Sequence, residues 1–351
     1  MKLWLMPLVL FNDYGKPYQQ NQISGMVKVK LISESYFEAI CKLYKIAFEK
    51  EPDYQLLKWK YFDSPYETNK LLGAFQEDEL VGFCAILEER IAYLGSPIKT
   101  FKYVDIMVNP KIRKAGIGKQ LIASLKEFTT EGDSKYLSYG IGSPIVTKIF
   151  NNYGYQFLGK VQNLFKPNFL LRLKAVVGQY QGVKREEVTI SSSLNDLFEG
   201  FTYYHDRNEI EIYRSKKLLE WKIRNPRYSY VIIQKKENSN LSGYLILSIS
   251  KYRIANIIDI NAIDDNPKVK KFLLKQAEVY VLKNQLKALV IMTNQNSKHY
   301  QFFISQGFWV NKFKKGPLRS TLDFNVSKNE QLADSALAAN WNLLGINYDD
   351  V

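Results

Sequence analysis

A chain of 351 residues has room for two domains of ordinary size. It is 46% hydrophobic and 24% charged, has only two cysteines and two histidines, and contains no run of about 18 apolar residues, which excludes a spanning helix, a disulfide framework and a His/Cys metal site. The net charge of +14 is carried by scattered lysines rather than one tail or stripe, which fits an anionic small ligand better than nucleic acid.

Lys2 followed by Leu3 to Phe11 mimics a short signal peptide, but Pro7 interrupts the apolar core and no small-x-small cleavage site follows. Residues 1–26 are therefore expected to be an N-terminal extension, and the protein cytoplasmic. Val27 to Ile32 alternates as a strand. Ser35-x-x-Glu38 predicts a capping box ahead of a helix with Phe37, Ile40, Cys41, Tyr44 and Phe48 on one face. Leu56 to Phe62 predicts a second helix, stopped by Asp63-Ser64-Pro65. Strands are expected at Leu71 to Phe75, Leu80 to Glu88, Ile91 to Leu94 and Thr100 to Val108.

Val104 to Gly118 reads VDIMVNPKIRKAGIG: an apolar strand, a stop at Asn109-Pro110, a basic glycine-bearing turn, then an amphipathic helix from Lys119 to Thr129. A helix N-terminus leaves backbone N–H groups unpaired and carries partial positive charge, and neighbouring glycines admit a ligand to the backbone. The stretch therefore predicts an anion site, most often for phosphate. It supplies neither a Walker loop nor a full G-x-G-x-x-G turn. Tyr136 to Ile141 is the next expected strand, and Ser143-Pro144 starts a helix that ends at Tyr153-Gly154. Strands alternating with helices imply an α/β fold with a mixed sheet covered on both faces.

The pattern then repeats. Leu57 to Lys60 (LKWK) recurs as Leu219 to Lys222 (LEWK), Gly82 as Gly243, Asp105 as Asp259, Asn109-Pro110 as Asn266-Pro267, and FNNYGY at Phe150 to Tyr155 as FISQGF at Phe303 to Phe308. Offsets of 153 to 162 that drift only through loop lengths indicate a duplicated domain. The expected layout is an extension (1–26), a first domain (27–165), a linker (166–184), a degenerate second domain (185–325) and a tail (326–351). In the second copy the stretch after Asn266-Pro267, KVKKFLLKQAEVY, holds no glycine, so close approach of an anion to its backbone is not expected there.

Arg113-x-x-Gly116-x-Gly118, directly after a strand ending Val-Asn-Pro, resembles the acyl-CoA pyrophosphate loop of the GNAT superfamily of N-acyltransferases. The likeness covers most of the chain as fold, with its specific motifs in residues 103–158. It implies two tandem GNAT-like domains, acetyl-CoA or another acyl-CoA as co-substrate, no metal, and transfer to a primary amine of a small molecule or amino sugar. A Trp59-Lys60-x-x-x-x-Pro65 second helix is similar to bacterial tandem acyltransferases of this size. By the resemblance, Met107 and Val108 offer backbone groups to the thioester and pantetheine, and Arg113, Lys114, Ala115, Gly116, Ile117 and Gly118 take the pyrophosphate. Asp105 occupies the position of a general base, on a face that strict alternation shares with Tyr103 and Met107. The family's usual acid, a tyrosine, is replaced here by Phe150, and its usual Asn by Ser143. Both are carried over as donor-site positions, with Tyr153 or Tyr139 as the substitute acid. Two alternatives stay open: a non-catalytic CoA-binding protein on the same scaffold, motivated by Phe150 and Ser143, and an aminoacyl transferase, motivated by the charge.

Overall fold

The computed structural model describes residues 27–131, 134–176, 188–192, 194, 203, 209–311, 321–327 and 341. The expected N-terminal extension lies outside them. The first half comprises β1 (Val27–Ile32), α1 (Phe37–Phe48), α2 (Tyr54–Tyr61), β2 (Lys70–Gln76), β3 (Glu79–Tyr93), β4 (Ser96–Val108), α3 (Ile117–Phe128), β5 (Leu137–Gly142), α4 (Pro144–Asn152) and β6 (Tyr155–Pro167). The second comprises α5 (Asn168–Val176), β7 (Val188–Ser191), β8 (Glu211–Ile212), α6 (Lys216–Lys222), β9 (Ser229–Glu237), β10 (Asn240–Ile249), β11 (Ile254–Ala262), α7 (Pro267–Lys283), β12 (Ala288–Asn294), α8 (Lys298–Ser305), β13 (Trp309–Val310) and β14 (Thr321–Ser327).

Among the described residues these fourteen strands lie in one mixed sheet, in the order β1-β2-β3-β4-β5-β14-β6-β12-β11-β10-β9-β7, with β8 on β3 and β13 on β6, and Thr130–Glu131 pairs with Ser134–Lys135 as a separate two-stranded ribbon. The same succession occurs twice: an antiparallel meander (β1 to β4; β7, β9 to β11), then a helical crossover (α3; α7) to a parallel neighbour (β5; β12). The halves are joined by β6 pairing with β12 over residues 161–167 and 288–294.

Along β3, Phe83, Ala85 and Leu87 face α1 and α2, while Cys84 and Ile86 face α3 and α4. This period of two buries both sides of the sheet. Gly82 lets α3 pack closely, since a Cβ there would lie 2.8 Å from Ile117 Cγ2. Its repeat, Gly243, serves α7 in the same way, with a Cβ falling 2.7 Å from Val269 Cγ1.

Several expectations are corrected. The capping box at Ser35 and Glu38 does not form: a 3-10 turn (Glu34–Tyr36) leads into α1, which has no side-chain cap. The expected strands at Leu80 to Glu88 and Ile91 to Leu94 are one strand, β3. It is closed onto β4 by the two-residue turn Leu94-Gly95, both at positive φ as a primed hairpin turn requires. The stretch read as a linker from Lys166 begins inside β6 and continues as helix α5; Lys166 is buried and ion-paired to Glu278. Strand β14, at the boundary assigned between second domain and tail, lies between β5 and β6 of the first half. Beyond Ser327 the expected tail lies outside the described residues apart from Trp341, which is buried against Tyr139.

Candidate active site

β4 and β5 run parallel from Thr100 and Leu137 only as far as Tyr103 and Gly140. Beyond that pair β4 stays on β3, while Ile141 and Gly142 follow β14. The strands therefore splay, leaving a V whose apex is Tyr103/Gly140 and whose open end is Val108 and Gly142. Asn109 N–H donates to Val81 O at 2.9 Å, so strand alternation directs the Val108 amide away from β3 and into the V.

A bulge shapes this edge of β4. Met107 pairs with Phe83 but Val104 with Ala85, leaving Asp105 and Ile106 opposite Cys84 alone, and Asp105 takes φ 52°. The extra residue reverses the side-chain alternation. Tyr103 packs with α3 and α4, whereas Met107 packs with α1, and Ile106 and Val108 turn to the α3 side. The expectation that Asp105 shares one face with both Tyr103 and Met107 is thus corrected. Asp105 Oδ2 accepts from Lys60 Nζ at 3.0 Å and from Tyr61 Oη at 2.7 Å, both on α2. The Lys60 side chain is 3% exposed and that of Asp105 15%. The second half repeats the device with different residues. Asp259, beside the β10/β11 register shift, accepts from Arg214 through two nitrogens and from Tyr244 Oη at 2.7 Å.

At the open end, Asn109 and Pro110 begin a 3-10 turn (Pro110–Ala115), and Gly116, at φ 80°, caps α3. Gln120 N–H bonds to Gly116 O, so the amides of Ile117, Gly118 and Lys119 precede the first helical bond and are free to meet an anion. A Cβ on Gly116 would meet nothing within 4 Å, and one on Gly118 only Val108 Cγ2 at 3.8 Å. The space over the loop is therefore open. Ile117 is buried under β3, and Ala115 is exposed. Arg113 does not simply add free charge: its Nη2 donates to Ala47 O at 3.0 Å, satisfying a carbonyl at the end of α1. The Lys114 side chain lies outside the described residues.

The remaining expected residues are dispersed. Met107 is buried in the α1 core and, paired with Phe83, turns its backbone groups to β3, so the expectation that it serves the cleft is corrected and only the Val108 amide does so. Ser143 is exposed at the N-cap of α4 without a side-chain cap bond. Tyr153 is half-buried at the C-cap of α4. Phe150 is buried at the apex, stacked on Tyr103 and edge-on to Tyr155. Tyr155 Oη donates to Tyr103 Oη at 2.7 Å. Burial pushes the Tyr103 phenol up to about 12 and that of Tyr155 further, so both stay protonated. Tyr139 donates to Glu89, which Lys102 and Lys222 also approach.

Pattern reading missed Lys60 and Tyr61 as partners of Asp105. The available signal was a lysine inside an otherwise buried helical run, repeated as Lys222. No group of His, Cys, Asp and Glu suited to a metal occurs among the described residues.

Residues 28–158 match the family model described as "Acetyltransferase (GNAT) domain". No curated protein matches the chain in sequence. The fold is similar to a GCN5-related N-acetyltransferase from Kribbella flavida, at TM-score 0.58 and 12% identity, covering 87% of this chain and 72% of that one. It is also similar to N-myristoyltransferase of Saccharomyces cerevisiae with bound myristoyl-CoA, at TM-score 0.56 and 10% identity, covering 95% and 90%. A tandem GNAT protein from the clavulanic acid biosynthesis pathway aligns at TM-score 0.53 and 9% identity over 86% and 98%.

Proposed function

From the match of residues 28–158 to a GNAT domain, we propose that the first half of the chain binds an acyl-CoA and transfers the acyl group to a primary amine. The observation that carries this reading is the V between β4 and β5 opening beside the glycine-capped N-terminus of α3. The free amides of α3 suit a pyrophosphate. The inward amide of Val108 suits a thioester or pantetheine carbonyl, and a fixed donor aimed at a developing oxyanion is a large catalytic effect.

In this reading Asp105 is a positioning residue. Its Oδ2 carries two hydrogen bonds from α2, and these hold the bulge that turns Ile106 to Val108 into the cleft. Tyr153 is the candidate acid, and a thiolate derived from a thiol of pKa near 8.5 is also a competent leaving group unaided. The acceptor proposed is a small amine or amino sugar, and the donor acetyl-CoA.

The test is release of free thiol from acetyl-CoA in the presence of a panel of amines and amino sugars. Acceptor-dependent release supports the transferase. Tight CoA binding with no release by any acceptor supports the second reading, a non-catalytic CoA-binding scaffold, which the buried, hydroxyl-free ring of Phe150 favours.

A further inference from the structure

We propose that Phe150 closes the deep end of the cleft and restricts the donor to short acyl chains; this rests on the assignment of the cleft to acyl-CoA. A donor whose pyrophosphate lies on the first turn of α3 enters the V at its open end, so its acyl group is the part that points towards the apex. The apex residues are Tyr103 and Gly140, the last pair that β4 and β5 share.

Phe150 reaches both from α4. Its ring lies on that of Tyr103, with centroids 6.0 Å apart and planes 18° apart. Its Cζ lies 3.2 Å from the position a Cβ on Gly140 would take. Glycine at 140 is what lets the ring seat so close to β5, so ring and glycine form a fitted pair. Tyr155 closes the remaining side, its ring 4.6 Å from that of Phe150 and its hydroxyl bonded to Tyr103. Tyr103, Phe150 and Tyr155 are all at most 3% exposed. A close-packed wall of this kind admits added methylenes only by displacing a ring.

The experiment titrates CoA, acetyl-CoA, butanoyl-CoA and octanoyl-CoA into the full-length protein and its Phe150→Ala and Phe150→Leu variants. CoA itself, lacking an acyl chain, reports whether the cleft takes the donor at all. The leucine variant retains most of the core volume should alanine prevent folding. Wild type is expected to bind CoA and acetyl-CoA within about threefold of each other and octanoyl-CoA at least about tenfold more weakly, and the folded variants, each referred to its own affinity for CoA, to bring octanoyl-CoA within about threefold of acetyl-CoA. Octanoyl-CoA bound by wild type as tightly as acetyl-CoA overturns the proposal. So does an unchanged gap in variants that still bind CoA. Failure of wild type to bind CoA itself overturns the donor-site reading, and this proposal with it.

Discussion

Trp59 and Trp221 lie face to face, ring centroids 4.6 Å apart and planes 15° apart, and each indole N–H donates to the other's backbone carbonyl, at 2.9 Å and 3.2 Å. They are equivalent residues of the two copies, and the contact is nearly two-fold symmetric. The helices carrying them are capped alike, Asp53 accepting from Leu56 N–H and Ser215 from Leu218 N–H. Leu56 and Trp59 belong to the apolar core of the second half, so α2 joins the two copies.

Replacing Trp221 by phenylalanine keeps most of the stack but takes the indole donor from Trp59 O, whereas in Trp59→Phe the Trp221 carbonyl keeps the Arg224 N–H at 3.0 Å. A loss of about 1–3 kcal/mol is expected from Trp221→Phe and a smaller one, about 0.5–1.5 kcal/mol, from Trp59→Phe. A double-mutant cycle on alanine variants should show positive coupling of at least about 0.5–1.5 kcal/mol from the stacked pair. Denaturant unfolding measures both, and additive effects would show that the copies are held together elsewhere.

Much of this arrangement was legible in the chain, because duplication preserves spacing. The repeats at Trp59/Trp221 and Gly82/Gly243 mark contacts that the fold makes in both copies. The anion loop was legible because its chemistry is local: a strand, a glycine turn and a helix N-terminus. The bulge was not, because one inserted residue in β4 inverts an alternation that otherwise predicts the faces correctly. Lys60 on Asp105 was hidden because 45 residues separate them. The insertion of β14 between β5 and β6 was hidden for the same reason, a pairing of distant segments that local pattern cannot specify.

The Asp105–Lys60 pair supplies the second prediction. Asp105→Ala leaves the buried Lys60 ammonium without this carboxylate, and about 3–5 kcal/mol of stability should be lost. Lys60→Met combined with Asp105→Ala should recover a substantial part of it, as thermal or urea unfolding would show. A double variant no more stable than Asp105→Ala would mean that the carboxylate acts on the backbone of the bulge rather than through the ion pair.

Both thiols are predicted to be inert in the native state. Cys41 and Cys84 are buried. Burial, and secondarily Glu38, pushes the Cys41 thiol up from 9.0 to about 11, and burial pushes Cys84 further. Iodoacetamide at pH 8 should label neither until the chain unfolds. For Cys41 the unfolded chain loses its thiol proton near pH 9 while the folded chain keeps it to about pH 11. The unfolded state then binds fewer protons, so this thiol's contribution to stability falls as pH rises through that window. Rapid native labelling of Cys41 would contradict the packing of α1 on the sheet, and of Cys84 that of α3 on β3.

The central claim is that the first half holds an acyl-CoA by its pyrophosphate at the first turn of α3. Gly118→Asp tests it with little disturbance to the free protein. The new Cβ meets only Val108 Cγ2 at an ordinary 3.8 Å, and an acidic residue in the first turn favours the helix. Its carboxylate would nevertheless occupy the anion's place. The decisive measurement is calorimetric titration of acetyl-CoA into wild type and Gly118→Asp at matched thermal stability. Binding by wild type with a loss of at least about a hundredfold in the variant is the predicted result. Equal affinity for the two proteins would contradict the account.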